Sequence, residues 1–201
     1  MPTPQELIVA ELLYLNYESK DKSVYMYINS MGTSVGQGQT TAFETEAFAI
    51  ADTMSYVGPD IETICIGVAY GTVGTPPHRA RAPATRRSPP RRAQAAMLLA
   101  NGKKGTRACL PNASVMLHQP RAMAQGQASD LQIKAREVLI ARRTINSVIA
   151  EQTGQTLEQV TRDCSRTKYL TPEQAQAYGI VDKVLRSQDD LPQKPSFLSA
   201  L

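Results

Sequence analysis

Residues 98–120 read LLANGKKGTRACLPNASVMLHQP, and their parsing sets the frame for the rest of the chain. The start belongs to a short apolar helix, AAMLLANG, with glycine as its C-cap. Residues 107–110 and 114–118 then form two short β-type runs. A buried helix handing over to two brief strands is the grammar of a layered α/β domain, not of a bundle or a sandwich.

Working upstream, IETICIG at 61–67 is a further strand. A helix precedes it over 42–57, with Phe43, Ala47, Ile50 and Met54 at helical spacing, stopped by Gly58-Pro59. VYMYI at 24–28 is a β-type run, followed by NSMGTS and a Gly/Gln-rich loop. Thr3-Pro4-Gln5-Glu6 starts a helix, Thr as N-cap and Pro at N1. It runs to about Tyr17, with Leu7, Ile8, Leu12 and Leu13 on or near its buried face.

Downstream, the longest helix begins near Ser129, which pairs with Gln132 as a capping box. Leu131, Ala135, Val138, Ile145 and Ile149 trace one stripe along it, and Thr153-Gly154 ends it. Thr156 opens another helix. Thr171-Pro172-Glu173-Gln174 opens a last one, closed at Gly179, before the strand IVDKVL. Strands and helices alternate throughout, so the class is α/β with mostly parallel crossovers.

The chain has 201 residues, 42% hydrophobic and 20% charged, which suits one soluble globular domain over 1–187 with a loose tail over 188–201. No apolar run approaches the ~18 residues of a membrane span, and the first residues read as a capped helix rather than a leader. Three scattered cysteines without a CxxC pair and only two histidines argue against a metal site or a disulfide framework.

The basic balance is local. Residues 73–94 hold six arginines, five prolines and no acid, and without those six charges the net +4 becomes −2. The folded body therefore carries no nucleic-acid footprint. The segment separates a strand from the helix after it, where six arginines would need solvation. One reading is a functional basic arm. The other is a retained intron: valine codons begin GT, one glutamine codon is CAG, and Val73 and Gln94 stand at the two junctions. Joining Thr72 to Ala95 restores a continuous GVAYGTAAMLLANGKKGTR, which favours the second.

The phrases IVAELLYL, YINSMGT, LLANGKKGTRACLPNASVMLHQP, GQASD, TGQTLEQV and YLTPEQAQAYGIVDKVL, in that order, resemble ClpP, the proteolytic subunit of Clp protease. The resemblance covers nearly the whole chain outside 73–94 and the tail. It implies a ClpP/crotonase-like α/β fold with a protruding handle helix over 129–152, stacked seven-membered rings, and a Ser-His-Asp peptidase site in active members. It also implies that an upstream strand and pore loop are missing before IVAELLYL.

The site positions depart from that pattern. Gly71 stands where the family has its serine, so there is no side-chain nucleophile. His118, in MLHQP, occupies the place of the general base. Thr167 replaces the orienting aspartate and cannot stabilise an imidazolium by charge. Asp163 lies four residues away from that position. The oxyanion phrase reads Asn29-Ser30-Met31-Gly32-Thr33-Ser34-Val35, with Thr33 in place of a glycine, and Thr72 follows the missing nucleophile. Losing a nucleophile costs about six orders of magnitude in rate.

These departures resemble ClpR, the non-catalytic paralogue found in plastids and cyanobacteria. The resemblance implies ClpP and other ClpR subunits as ring partners, a Clp AAA+ chaperone that spends the ATP, no cofactor in this chain, no nucleic-acid or membrane partner, and a chloroplast stroma location, with the cyanobacterial cytoplasm as the alternative. The rivals are an active serine endopeptidase working through Thr72 or Ser88, a crotonase-type acyl-CoA enzyme, and a nucleic-acid binder built on the arginines.

Overall fold

The computed structural model describes residues 4–30, 44–70, 94–120, 126–187 and 190. The expectations for Phe43, for Thr33, Gly71 and Thr72, for 73–93 and for nearly all of the tail lie outside them.

The described order is α1 (Pro4–Glu18), β1 (Val24–Ser30), α2 (Glu44–Tyr56), β2 (Ile61–Tyr70), α3 (Ala95–Ala100), β3 (Ala108–Cys109), β4 (Ser114–Leu117), α4 (Ala128–Thr153), α5 (Leu157–Cys164), β5 (Lys168–Leu170), α6 (Pro172–Tyr178) and β6 (Lys183–Val184). The fold is mixed α/β with a curled sheet, consistent with the ClpP type.

Strand β2 organises the sheet. It runs three residues past the expected end at Gly67, to ten residues, or about 33 Å. That length lets it serve β1 along one edge and two strands in succession along the other. Ile64 and Cys65 pair β3, and Val68 to Tyr70 pair β4, all in parallel. β6 then extends the sheet beyond β3. β5, which periodicity did not reveal, joins β4 antiparallel; Lys168, Tyr169 and Leu170 are too few to show an alternation.

The core sits on α3. All six of its residues are buried, and it packs between β2 and the helices α2 and α4. Met97, Leu98 and Leu99 each contribute roughly 1.5–3 kcal/mol by leaving water. Thr63 Oγ1 of β2 donates to the Leu99 carbonyl at 2.8 Å, satisfying the last turn of the helix from the sheet. The C-cap is Asn101, in right-handed conformation, and not Gly102 as the sequence suggested. Gly102 has another reason to be glycine: a Cβ there would lie 2.2 Å from Thr63 Oγ1.

Three expectations about helices fail in instructive ways. In α1 only Leu12 is buried, while Leu7, Ile8 and Leu13 are exposed; the helix is apolar all round, so its sequence names no single inner face. Helix α4 starts at Ala128 after Gln127, and no side-chain cap forms, so the Ser129–Gln132 box is not made. Its stripe is half covered. Ile145, Asn146, Ile149 and Ala150 are buried, but Leu131 and Ala135 stand in solvent. The N-terminal half of α4 therefore projects from the body, as a handle does. By contrast Ala47, Ile50 and Met54 of α2 are buried as their spacing requires. The Thr171/Gln174 capping box and the Gly154 and Gly179 C-caps also form.

Candidate functional site

The C-terminal ends of β2 and β4 lie side by side, with Tyr70↔Met116 as their last pair. His118 follows one residue after β4 and is buried. Its neighbour Gln119 fixes the segment to the end of α5: the backbone N–H donates to the Cys164 carbonyl at 2.9 Å, and Nε2 to the Ser165 carbonyl at 3.3 Å.

The other flank of β4 carries the third position. β4 and β5 pair as Val115↔Leu170, Met116↔Tyr169 and Leu117↔Lys168. The ladder ends at Leu117↔Lys168, and His118 and Thr167 are the residues that flank this last pair. Beyond it the register does not continue, since the Gln119 N–H bonds the Cys164 carbonyl. His118 is buried and Thr167 is exposed.

Asp163 does not fill the gap. Its carboxylate accepts from Gln159 Nε2 at 2.9 Å, Lys168 Nζ at 2.9 Å and Tyr178 OH at 3.0 Å. Burial would raise this carboxyl, but the hydrogen bonds from Lys168, Gln159 and Tyr178, with the lysine charge, outweigh burial and hold it below the usual carboxylate range. The Tyr178 hydroxyl is pushed up by burial and then by that carboxylate. The group clamps α5, β5 and α6 together. It is a structural anchor rather than an orienting base partner.

The three thiols are poor nucleophile candidates. Cys65, Cys109 and Cys164 are all buried. Burial pushes their thiols up, Cys109 to about 12 and Cys164 to about 11, so they stay protonated and unreactive. Among the described residues, no group of three His, Cys, Asp or Glu side chains could hold a metal ion.

Sequence reasoning missed the device that shapes the entrance to this region. The β1–β2 register slips between Ile28↔Cys65 and Ser30↔Ala69, leaving two extra residues in β2. Asn29 closes the irregularity: its Oδ1 accepts from the Val68 N–H at 3.3 Å. Gly67 allows the approach, since a Cβ there would meet Asn29 Oδ1 at 2.8 Å. The available signal was the pairing of an Asn after an apolar strand with a Gly inside the next one, a common mark of a bulge or close backbone contact. Beside this, Tyr70 and Tyr169 reach toward each other from the two strands flanking Met116, rings 5.6 Å apart and near perpendicular.

Two motif residues acquire a physical role. Arg107, only 4% exposed, donates through Nε and Nη2 to Asp182 at 2.9 and 2.6 Å, and through Nη1 to the carbonyls of Ala100 and Gln152. Asp182 also accepts the Gly105 N–H at 2.7 Å. KKGTR and IVD are thus two halves of one ion pair, buried on the arginine side and partly buried on the aspartate side, that joins α3, the end of α4, β3 and β6.

A family model described as Clp protease matches residues 3–90 and 91–188, nearly the whole chain, in two parts that meet inside the arginine-rich segment. The chain belongs to the Clp protease family. A Clp protease proteolytic subunit-like protein of Synechococcus elongatus is 48% identical over 96% of this chain and 75% of its own length. One from Synechocystis is 46% identical over 93% of this chain and 73% of its own. An Arabidopsis thaliana protein named chloroplastic Clp protease proteolytic subunit-related protein 4 is 39% identical, over 94% of this chain and 54% of its own length. These likenesses are to the proteolytic-subunit side of the family, and they are consistent with a ClpR-type paralogue.

Proposed function

We propose that this chain is a non-catalytic subunit of an ATP-dependent Clp protease core, occupying ring positions and helping to wall the chamber without cutting peptides. The observation that carries this is the residue after β2. Strand β2 ends at Tyr70 beside the His118 strand, and the next residue in the chain is Gly71, which has no oxygen to attack a carbonyl. The sequence supports it at a second position, with Thr167 standing where the family phrase has its aspartate.

The surface supports an assembled state. Leu7, Leu13, Tyr14 and Tyr17 of α1, and Ile133 and Ile140 of α4, are exposed. Large apolar side chains exposed along two helices suit surfaces that partners cover. ClpP-type and ClpR-type subunits are the ring partners this predicts, with ATP spent by a partner chaperone and no cofactor here. One relative is named chloroplastic and two are cyanobacterial, which favours a plastid or cyanobacterial location, and we place this chain in the chloroplast stroma.

The test is active-site labelling of the purified assembly with a fluorophosphonate, followed by peptide identification. Sister subunits label and this chain stays unlabelled. A covalent adduct on Thr72 or Ser88 of this chain would overturn the proposal and restore the peptidase reading.

A further inference from the structure

The projecting half of α4 carries an ordered charge pattern. Ile133 and Ile140, seven residues apart, lie on one side of the helix and are 66% and 65% exposed. Asp130 and Glu137 each stand three residues before one of these isoleucines. Arg136 and Arg143 each stand three residues after one. Positions three before and three after fall about 60° to opposite sides of the ridge. The ridge is therefore flanked by a carboxylate rail and an arginine rail, and all four charged residues are exposed.

The rails are unequal. Lys134, behind the carboxylates, bonds Glu137 at 2.6 Å and blunts that side. Arg136 and Arg143 make no ion pair among the described residues.

Consider two identical copies meeting ridge to ridge. The body of each chain lies at the C-terminal end of α4, where Ile145, Asn146, Ile149 and Ala150 are buried. Packed helices run about 8–10 Å apart, while a body of this size has a radius of gyration near 16 Å. A parallel pair would drive the two bodies into each other, so only an antiparallel pair fits. A two-fold antiparallel pair sets each flank against the same flank of its mate. Arginines would face arginines, and carboxylates would face carboxylates. Like charges across a contact are the usual means by which a surface rejects the wrong partner.

We propose that the outer face of α4 selects a non-identical subunit: a helix with an apolar ridge and carboxylates opposite Arg136 and Arg143, in preference to a second copy of this chain. The identity of that partner as a sister ring subunit rests on the reading above. The charge selection does not.

The test uses the full chain and a rail-swapped full chain carrying Asp130→Lys, Glu137→Lys, Arg136→Glu and Arg143→Glu. All four sites are exposed, and circular dichroism checks that the fold is kept. Sedimentation at low salt gives the pairing constants for each chain alone and for the equimolar mixture. The mixed pair forms at least tenfold more tightly than either chain with itself, and its advantage shrinks in high salt. Self-pairing of the unmodified chain as tight as mixed pairing would overturn the proposal, as would a mixed advantage insensitive to salt. If instead the swapped chain does not keep its fold, the neutral pair Arg136→Gln/Arg143→Gln serves. Self-association of that variant rises above that of the unmodified chain, and no rise overturns the proposal. Because only this chain is used, these outcomes are independent of whether fluorophosphonate labelling upholds the Clp core reading.

Discussion

At position 71 a serine would restore an oxygen but not a working site. With Gly71→Ser alone, residue 167 would still be a threonine, and an imidazole without its carboxylate partner costs on the order of 10⁴ in rate. Thr167→Asp adds a carboxylate just before β5, the strand that pairs with β4. Fluorophosphonate labelling of the assembled single variant is expected to be barely measurable, and that of the double variant about a thousandfold faster or more. Equal rates would mean that residue 167 does not address the imidazole. Gly179 shows the opposite kind of constraint. It closes α6 at φ 90°, and a Cβ there would lie 2.6 Å from the Thr153 carbonyl oxygen. Both the left-handed backbone and the contact exclude a side chain. Gly179→Ala is expected to cost about 2 kcal/mol or more, read as a lowered midpoint in urea unfolding.

The elements differ in how plainly their sequences announced them, for physical reasons. Thr156 and Thr171 were readable as helix starts because a capping hydrogen bond is made within four residues, and both form. Ser129 carries the same signature without the bond, because the helix begins one residue earlier. Of the candidate site, Gly71, His118 and Thr167 were legible as residue identities. The pairing of β4 with β5 was not, since it depends on a three-residue strand. The Arg107–Asp182 link was visible only as two motif fragments 75 residues apart, because a long-range ion pair leaves no periodicity. That link sets a pH dependence. Burial would raise the Asp182 carboxyl, but the Arg107 hydrogen bonds, the Gly105 N–H and the guanidinium charge hold it below its ordinary value. A carboxyl depressed in the folded state stabilises the protein above the unfolded pKa, about 3.9, and that contribution is lost as pH falls through the folded value. Acid unfolding should therefore set in below about pH 4. Arg107→Ala, which strands a partly buried carboxylate and two carbonyls, is expected to cost about 3–5 kcal/mol and to flatten this part of the stability profile. An unchanged acid limb in Arg107→Ala would assign the dependence to other carboxylates.

Across the whole molecule, residues 73–94 are the stretch whose sequence sits least easily between its neighbours, β2 and α3. Helix α3 is buried from its first residue, and Gln94, just before it, is buried with Nε2 lacking a hydrogen-bond partner among the described residues. A buried amide left unpaired costs about 1–3 kcal/mol, so nothing in the described fold requires Gln94 at that junction. The Clp protease match also breaks between residues 90 and 91, inside the same stretch. If 73–94 is translated intron, the mature chain runs from Thr72 to Ala95, and α3 follows β2 after two residues instead of after 24. A chain lacking 73–94 should then fold cooperatively and melt no lower than the 201-residue chain. It should migrate in isoelectric focusing as an acidic species, because six positive charges are gone. Peptides from the native protein should read across Thr72-Ala95, with APATR absent. Abundant APATR peptides, together with a shortened chain that fails to fold, would make the arginine-rich stretch a true part of the subunit and return the basic-arm reading.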